Sequence, residues 1–96
     1  MRGLGRKTEK LIRYARQLLE ADHPQTLRQL HYAIFSRCEI AYENCRADYR
    51  RLGNATSYAR RLYRAFELQY VNGTKLAAAH PYAIPGRWIV DESRQA

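Results

Sequence analysis

CRADYRRLGNATSYARRLYRAF, residues 45–66, is the stretch that decides the fold. Wound at 100° per residue it divides into two faces. Tyr49, Leu52, Thr56, Ala59, Tyr63 and Phe66 lie on one side, and Arg46, Arg50, Ser57, Arg61 and Arg64 fall within a wedge of about 60° on the other. Arg51 and Arg60 flank the wedge, and Asp48 is the one acid in the stretch. The spacing predicts an amphipathic helix over 45–66 with a core side and a narrow row of arginines. A solvated helix face ordinarily mixes Glu with Lys at i,i+4 spacing. This face is almost all arginine, which suits a phosphate backbone or a DNA groove. Gly53-Asn54 lies inside it; an interior glycine costs about 1 kcal/mol relative to alanine, and Asn54 could cap a second piece. Both faces stay in phase across Gly53, which favours one helix, straight or bent.

On the N-terminal side, residues 38–44 (CEIAYEN) form a linker in which Ile40 and Tyr42 pack inward and Asn44 caps the arginine helix. A helix over 27–37 precedes it. Thr26 is its N-cap, Leu27, Leu30, Ile34 and His31 face the core, and Arg28, Tyr32 and Ser36 share another face. Asp22-His23-Pro24-Gln25 is a break, because proline disfavours helix in the residue before it. The first helix covers 6–22, with Leu11, Tyr14, Ala15, Leu18 and Leu19 as its apolar stripe and Arg6, Lys10, Arg13 and Gln17 opposite. Its basic side could touch phosphates or simply keep the domain in solution. A helix, a short turn and a basic amphipathic helix outline a helix-turn-helix, whose second helix enters the major groove.

Beyond Phe66 the period changes. Leu68-Gln69-Tyr70-Val71 alternates, Asn72-Gly73 follows, then Thr74-Lys75-Leu76, and Asn-Gly between two such runs signals a hairpin. After a basic helix a hairpin reads as a wing, with strands over 67–71 and 87–90. In a rival reading Thr74 caps a short helix, KLAAAH, before Pro81, which leaves 75–80 open. Residues 81–86 form a turn, and Trp88 anchors the last strand in the core.

The bulk numbers agree with this outline. Ninety-six residues make one domain, 1–96, with a modest core, and a hydrophobic fraction of 46% argues against disorder. A net charge of +8 and a pI near 9.9 favour a polyanionic partner, DNA or RNA before an anionic membrane. Residues 46–66 hold six arginines against one acid, and residues 1–22 six cations against three acids; the remainder is balanced. Arginine far outnumbers lysine, favouring bidentate contacts over diffuse attraction. No apolar run reaches the ~18 residues of a membrane span and no signal peptide is evident, so the expectation is a cytoplasmic protein with reduced, buried cysteines.

Several chemical sites are weighed and set aside. Cys38, Cys45, His31 and His23 lack the spacing of a zinc finger, so no metal or other cofactor is expected. Asp91 and Glu92 are adjacent and point apart on a strand, and no glycine-rich phosphate loop occurs. Of the eight tyrosines, Tyr14, Tyr49 and Tyr63 fit core positions and Tyr58 borders the basic face.

Pro24-x-Thr26-x-Arg28-Gln29-Leu30-x-Tyr32, Tyr49-x-x-Leu52, Ala59-Arg60-Arg61 and Ile84-Pro85-x-x-Trp88-Ile89-Val90-Asp91-x-x-Arg94 together form a wider pattern. It resembles the N-terminal winged-helix module of bacterial and phage Toprim proteins related to the A subunit of type IIB topoisomerases. The resemblance covers roughly residues 8–94 and departs from the family over 63–83, so the wing is expected to be enlarged or rebuilt. It implies a DNA-gripping module that a C-terminal Toprim domain usually follows. It also implies a weak catalytic candidate: the family's strand-cleaving tyrosine lies on an Arg-x-x-Tyr-Tyr segment, to which Arg28-Gln29-Leu30-His31-Tyr32 is similar, with Tyr32 at the reactive position. Metal for that chemistry comes from Toprim acids, and this chain has no Asp-x-Asp. Cleavage by these residues alone is therefore not expected.

The expectation is a mainly α protein with minor β structure, a three-helix winged helix-turn-helix with a short β wing. It binds double-stranded DNA through helix 45–66 and is not itself an enzyme. Arg46, Arg50, Arg60, Arg61 and Arg64 divide between phosphates and bases, Asn54 and Ser57 reach base edges, and Arg28, Lys75 and Arg87 touch neighbouring phosphates. A Toprim-enzyme fragment, a module that docks on a protein partner, and an RNA binder are the other readings.

Overall fold

Helix formation follows the apolar periodicity closely. The structure, a computed structural model, describes residues 5–69 and 80–91. Its elements run α1 (Arg6–Ala21), β1 (Gln25–Thr26), α2 (Leu27–Arg37), α3 (Arg46–Gln69), a 3₁₀ turn (Gly86–Trp88) and β2 (Ile89–Val90). The chain is thus mainly helical with a small two-stranded sheet. Among the described residues, no helix is long and apolar enough to cross a membrane.

Leu11, Ile12, Tyr14, Ala15, Leu18 and Leu19 of α1 are buried, while Arg6, Lys10, Arg13 and Gln17 are exposed. Helix α2 starts where Thr26 predicts. The Thr26 hydroxyl accepts from the Gln29 N–H (3.0 Å), and the Thr26 N–H donates to Gln29 Oε1 (2.8 Å), a reciprocal capping box. Leu30, His31 and Ile34 face inward from α2. Helix α3 runs unbroken through Gly53-Asn54; Leu52, Ala55 and Ala59 are buried in one cluster with α1 and α2, Thr56 is buried beside them, and Tyr63 is buried with Ala83 of the returning segment. Tyr49 is half-buried, and the Phe66 side chain lies outside the described set. A Cβ on Gly53 would sit 3.4 Å from Leu27 Cδ2, an ordinary contact with a flexible side chain of α2.

Four expectations need correction. The strand over 67–71 is replaced through Gln69 by helix: Ala65-Phe66-Glu67-Leu68-Gln69 contains no breaker, so α3 simply continues. Residues 70–71, the Asn72-Gly73 hairpin and Lys75 lie outside the described residues. The strand over 87–90 is shortened to Ile89–Val90, because Pro85 leads into a 3₁₀ turn closed by Trp88 N–H to the Pro85 carbonyl (3.1 Å). Asn44 does not cap α3; the helix opens one residue later, with the Cys45 carbonyl accepting from Tyr49 N–H at 3.0 Å. Both cysteines are exposed thiols, because the linker lies at the surface.

The C-terminal segment closes the fold. Strand β2 pairs with β1 in parallel, Gln25 opposite Ile89 and Thr26 opposite Val90, so the sheet ties the start of α2 to the end of the chain. Trp88 is half-buried and stacks on His23, with ring centroids 4.5 Å apart. The Ile84 N–H reaches the Ala59 carbonyl of α3 (3.1 Å), and Arg16 of α1 donates to the carbonyls of His80 and Ala83, the latter at 2.6 Å.

Cys38 ends α2 with φ 54°, a left-handed conformation unfavourable for a residue with a Cβ. Two substitutions at the ends of α2 should therefore act with opposite sign in urea unfolding. Thr26→Ala should lose about 1 kcal/mol with the cap, and Cys38→Gly should gain up to about 1 kcal/mol by relieving the left-handed strain.

Candidate nucleic-acid interface

The burial of one α3 face turns the other outward. Arg46, Arg50, Asn54, Arg61 and Arg64 are exposed along it, and Ser57 and Arg60 are half-buried. Arg60 lies back along its own helix, Nε donating to the Thr56 carbonyl (3.3 Å) and Nη2 to Ser57 Oγ (3.4 Å). Burial and the neighbouring Arg61 charge lower its pKa. Arg51, on the far flank, pairs with Asp48 at 3.7 Å and reaches over the Tyr42 ring. The expected wedge is therefore assembled as a surface, with Arg60 at its edge.

Each end of this surface opens into a basic cleft. At the N-terminal end a cleft of about 560 Å³ is lined by Arg28, Tyr32, Asn44, Arg46, Tyr49 and Arg50, with His31 in its wall and no carboxylate in its lining. Arg28, reaching across from α2, lies over the Tyr49 ring, 5.2 Å from its centroid. At the C-terminal end a cleft of about 360 Å³ lies between Arg60, Arg61, Tyr63, Arg64 and Gly86. The 3₁₀ turn that packs on α3 supplies Gly86 and carries the exposed Arg87 beside it. The basic side of α1 differs: its cleft, of about 320 Å³, contains Glu9 among Arg6, Lys10 and Arg13, and the Tyr82 hydroxyl donates to Glu9 (3.3 Å).

Behind the first cleft, His31 holds the linker against α3. It is 3% exposed; Nδ1 meets the Tyr42 hydroxyl at 2.5 Å, and Nε2 meets Asn44 Oδ1 at 3.0 Å. The Tyr42 hydroxyl in turn donates to the Asp48 carbonyl (3.2 Å), and the Asp48 carboxylate accepts from the Glu43 N–H (2.7 Å). Burial, then the Asp48 charge, push the Tyr42 phenol well above its ordinary range. This network sets the cleft's geometry, yet nothing in the sequence pattern singled it out. The one signal was a histidine on the apolar side of α2, followed by Tyr42 and Asn44 in a short linker.

Tyr32 stands 46% exposed in the same cleft. Its neighbour His31 has both ring nitrogens engaged elsewhere, so it is not positioned to take the Tyr32 proton. Among the described residues, no three His, Cys, Asp or Glu side chains gather as metal ligands. Tyr58, expected at the border of the basic face, is half-buried and packs on the core.

Comparison with family models, with curated proteins and with solved structures finds no match for this chain.

The burial of Tyr42, with the Asp48 charge beside it, has a signed consequence in alkali. The folded protein keeps the Tyr42 proton where an unfolded chain's tyrosine loses it, so the unfolded state binds fewer protons above pH ~10 and stability falls there. This contribution is constant below that pH. Urea unfolding at pH 8 and pH 11 should show a smaller alkaline loss for Tyr42→Phe than for the unaltered chain; equal losses would remove Tyr42 as the cause.

Proposed function

We propose that this protein binds double-stranded DNA, laying the arginine face of α3 across the major groove. The observation that carries the reading is the order of side chains along the helix. Arg46 and Arg50 stand at one end, Arg61 and Arg64 at the other, with Asn54 and Ser57 between. At 1.5 Å per residue the two arginine pairs lie about 22 Å apart. The major groove is about 12 Å wide, so a helix crossing it would bring each pair to the phosphates of one wall. The uncharged middle would then face base edges, where Asn and Ser can donate and accept. Arg28 at one cleft and Arg87 at the other extend the phosphate contacts. The deep, narrow major groove of A-form RNA would not admit such a helix, which favours DNA as the partner.

The helix order, the linker and the strand that returns beside α2 are compatible with a winged helix-turn-helix, and the Toprim-associated module is the family reading we favour. In that setting the chain is the DNA-gripping part, and strand cleavage would belong to a Toprim domain that supplies metal. Tyr32 in this reading is a contact residue.

Fluorescence anisotropy with a random duplex of about 25 base pairs, roughly two helical turns, across a salt series tests the proposal. Binding should weaken steeply with salt. Changing Arg50 and Arg61 together to alanine should weaken it further and reduce the slope of log K against log salt by about 2. Losses of the same size from Arg2→Ala or Arg94→Ala would sink the assignment to α3, and absence of binding at low salt would turn the reading toward a protein partner.

A further inference from the structure

We propose that the cleft between α2 and the start of α3 takes an unpaired nucleotide, its base stacked on Tyr32 and its phosphate held by Arg28, Arg46 and Arg50. The protein would then bind duplex ends carrying a single-stranded overhang better than blunt ends. The inference rests on the DNA-binding reading and specifies the ligand of one part of that surface.

Tyr32, 46% exposed, and Phe35, 40% exposed, are the large exposed hydrophobics among the described residues. They stand three residues apart on α2 and so are neighbours on its surface. A scattered exposed aromatic needs no explanation. Tyr32, however, opens into a cleft with three guanidinium groups and no carboxylate. Aromatic rings set among cations along a groove are how single-stranded nucleic acid is held, base on ring and phosphate on cation. The other rings of the cleft are already engaged. Tyr49 has Arg28 over its face, and His31 is buried and hydrogen-bonded at both nitrogens. His31 meets Tyr32 at a tilt of 53°, so it does not cover the Tyr32 ring flat.

Shape decides between a paired and an unpaired base. In a continuous duplex each base has both faces covered by its neighbours and its phosphates lie on a convex surface. The cleft is an open groove whose volume, about 560 Å³, falls within the range of small-molecule sites. A nucleotide released from the stack can put its ring against Tyr32 while its phosphate meets the arginines that line the same cleft.

The test compares the purified chain on a labelled blunt duplex and on the same duplex with an overhang of about four nucleotides, 2-aminopurine being placed in the overhang. One stacked base should give about five- to tenfold tighter binding to the overhang, with 2-aminopurine quenched on binding. Tyr32→Ala should abolish both the preference and the quenching, bringing the affinity for the overhang duplex down to that of the same variant for the blunt one, and Tyr32→Phe should retain both. A thermal melt of each variant checks that it folds. Equal affinity for the two duplexes, or a preference that survives Tyr32→Ala, would overturn the inference and leave the DNA reading standing. Failure to bind either duplex would overturn both.

Discussion

The rotation of α3 about its own axis is the constraint on which the rest depends. It is set by a ridge of buried side chains, Leu52, Ala55, Thr56 and Ala59 toward α1 and α2, and Tyr63 against Ala83. Thr56, fully buried, returns its hydroxyl to the carbonyls of Leu52 (2.8 Å) and Gly53 (3.2 Å), so its polarity costs little inside the core. Removing this ridge from water leaves the helix one orientation, and that orientation turns Arg46, Arg50, Arg61 and Arg64 outward. The basic surface is thus a consequence of core packing and helical period together.

Two further ties shape the ends of that surface. The His31–Tyr42–Asn44 network fixes the linker and brings Arg28 of α2 into one cleft with Arg46 and Arg50. The returning segment is held by Arg16, by the Ala59 carbonyl and by the parallel ladder to β1, and it sets Gly86 beside the second arginine group. Ties between distant parts of the chain therefore define both ends of a surface whose middle is local helix.

Much of this was legible beforehand because it follows from local rules. The limits of α1 and α2, the Thr26 cap, the continuity of α3 across Gly53 and the outward arginines all come from helical spacing and capping chemistry. What was missed was one local detail and several tertiary ones. Gln29 completes a capping box that the spacing Thr26-x-x-Gln29 already allowed. Asn44 looked like a cap, and instead its side chain satisfies a buried histidine. Leu68-Gln69 alternated like the start of a strand, but a helix already under way for about six turns outweighs so short an alternation. Ile89–Val90 was expected to serve a wing, and its partner is the two-residue strand just before α2, a pairing no local pattern announces.

The most direct measurement is a heteronuclear NMR titration of ¹⁵N-labelled protein with a short blunt duplex. If the arginine face of α3 is the DNA surface, the amide resonances of Arg46, Arg50, Asn54, Ser57, Arg61 and Arg64 should move together and saturably. Those of Lys7, Lys10 and Arg13 on α1 should stay in place. Shifts concentrated on α1, or spread evenly over every basic residue, would contradict it.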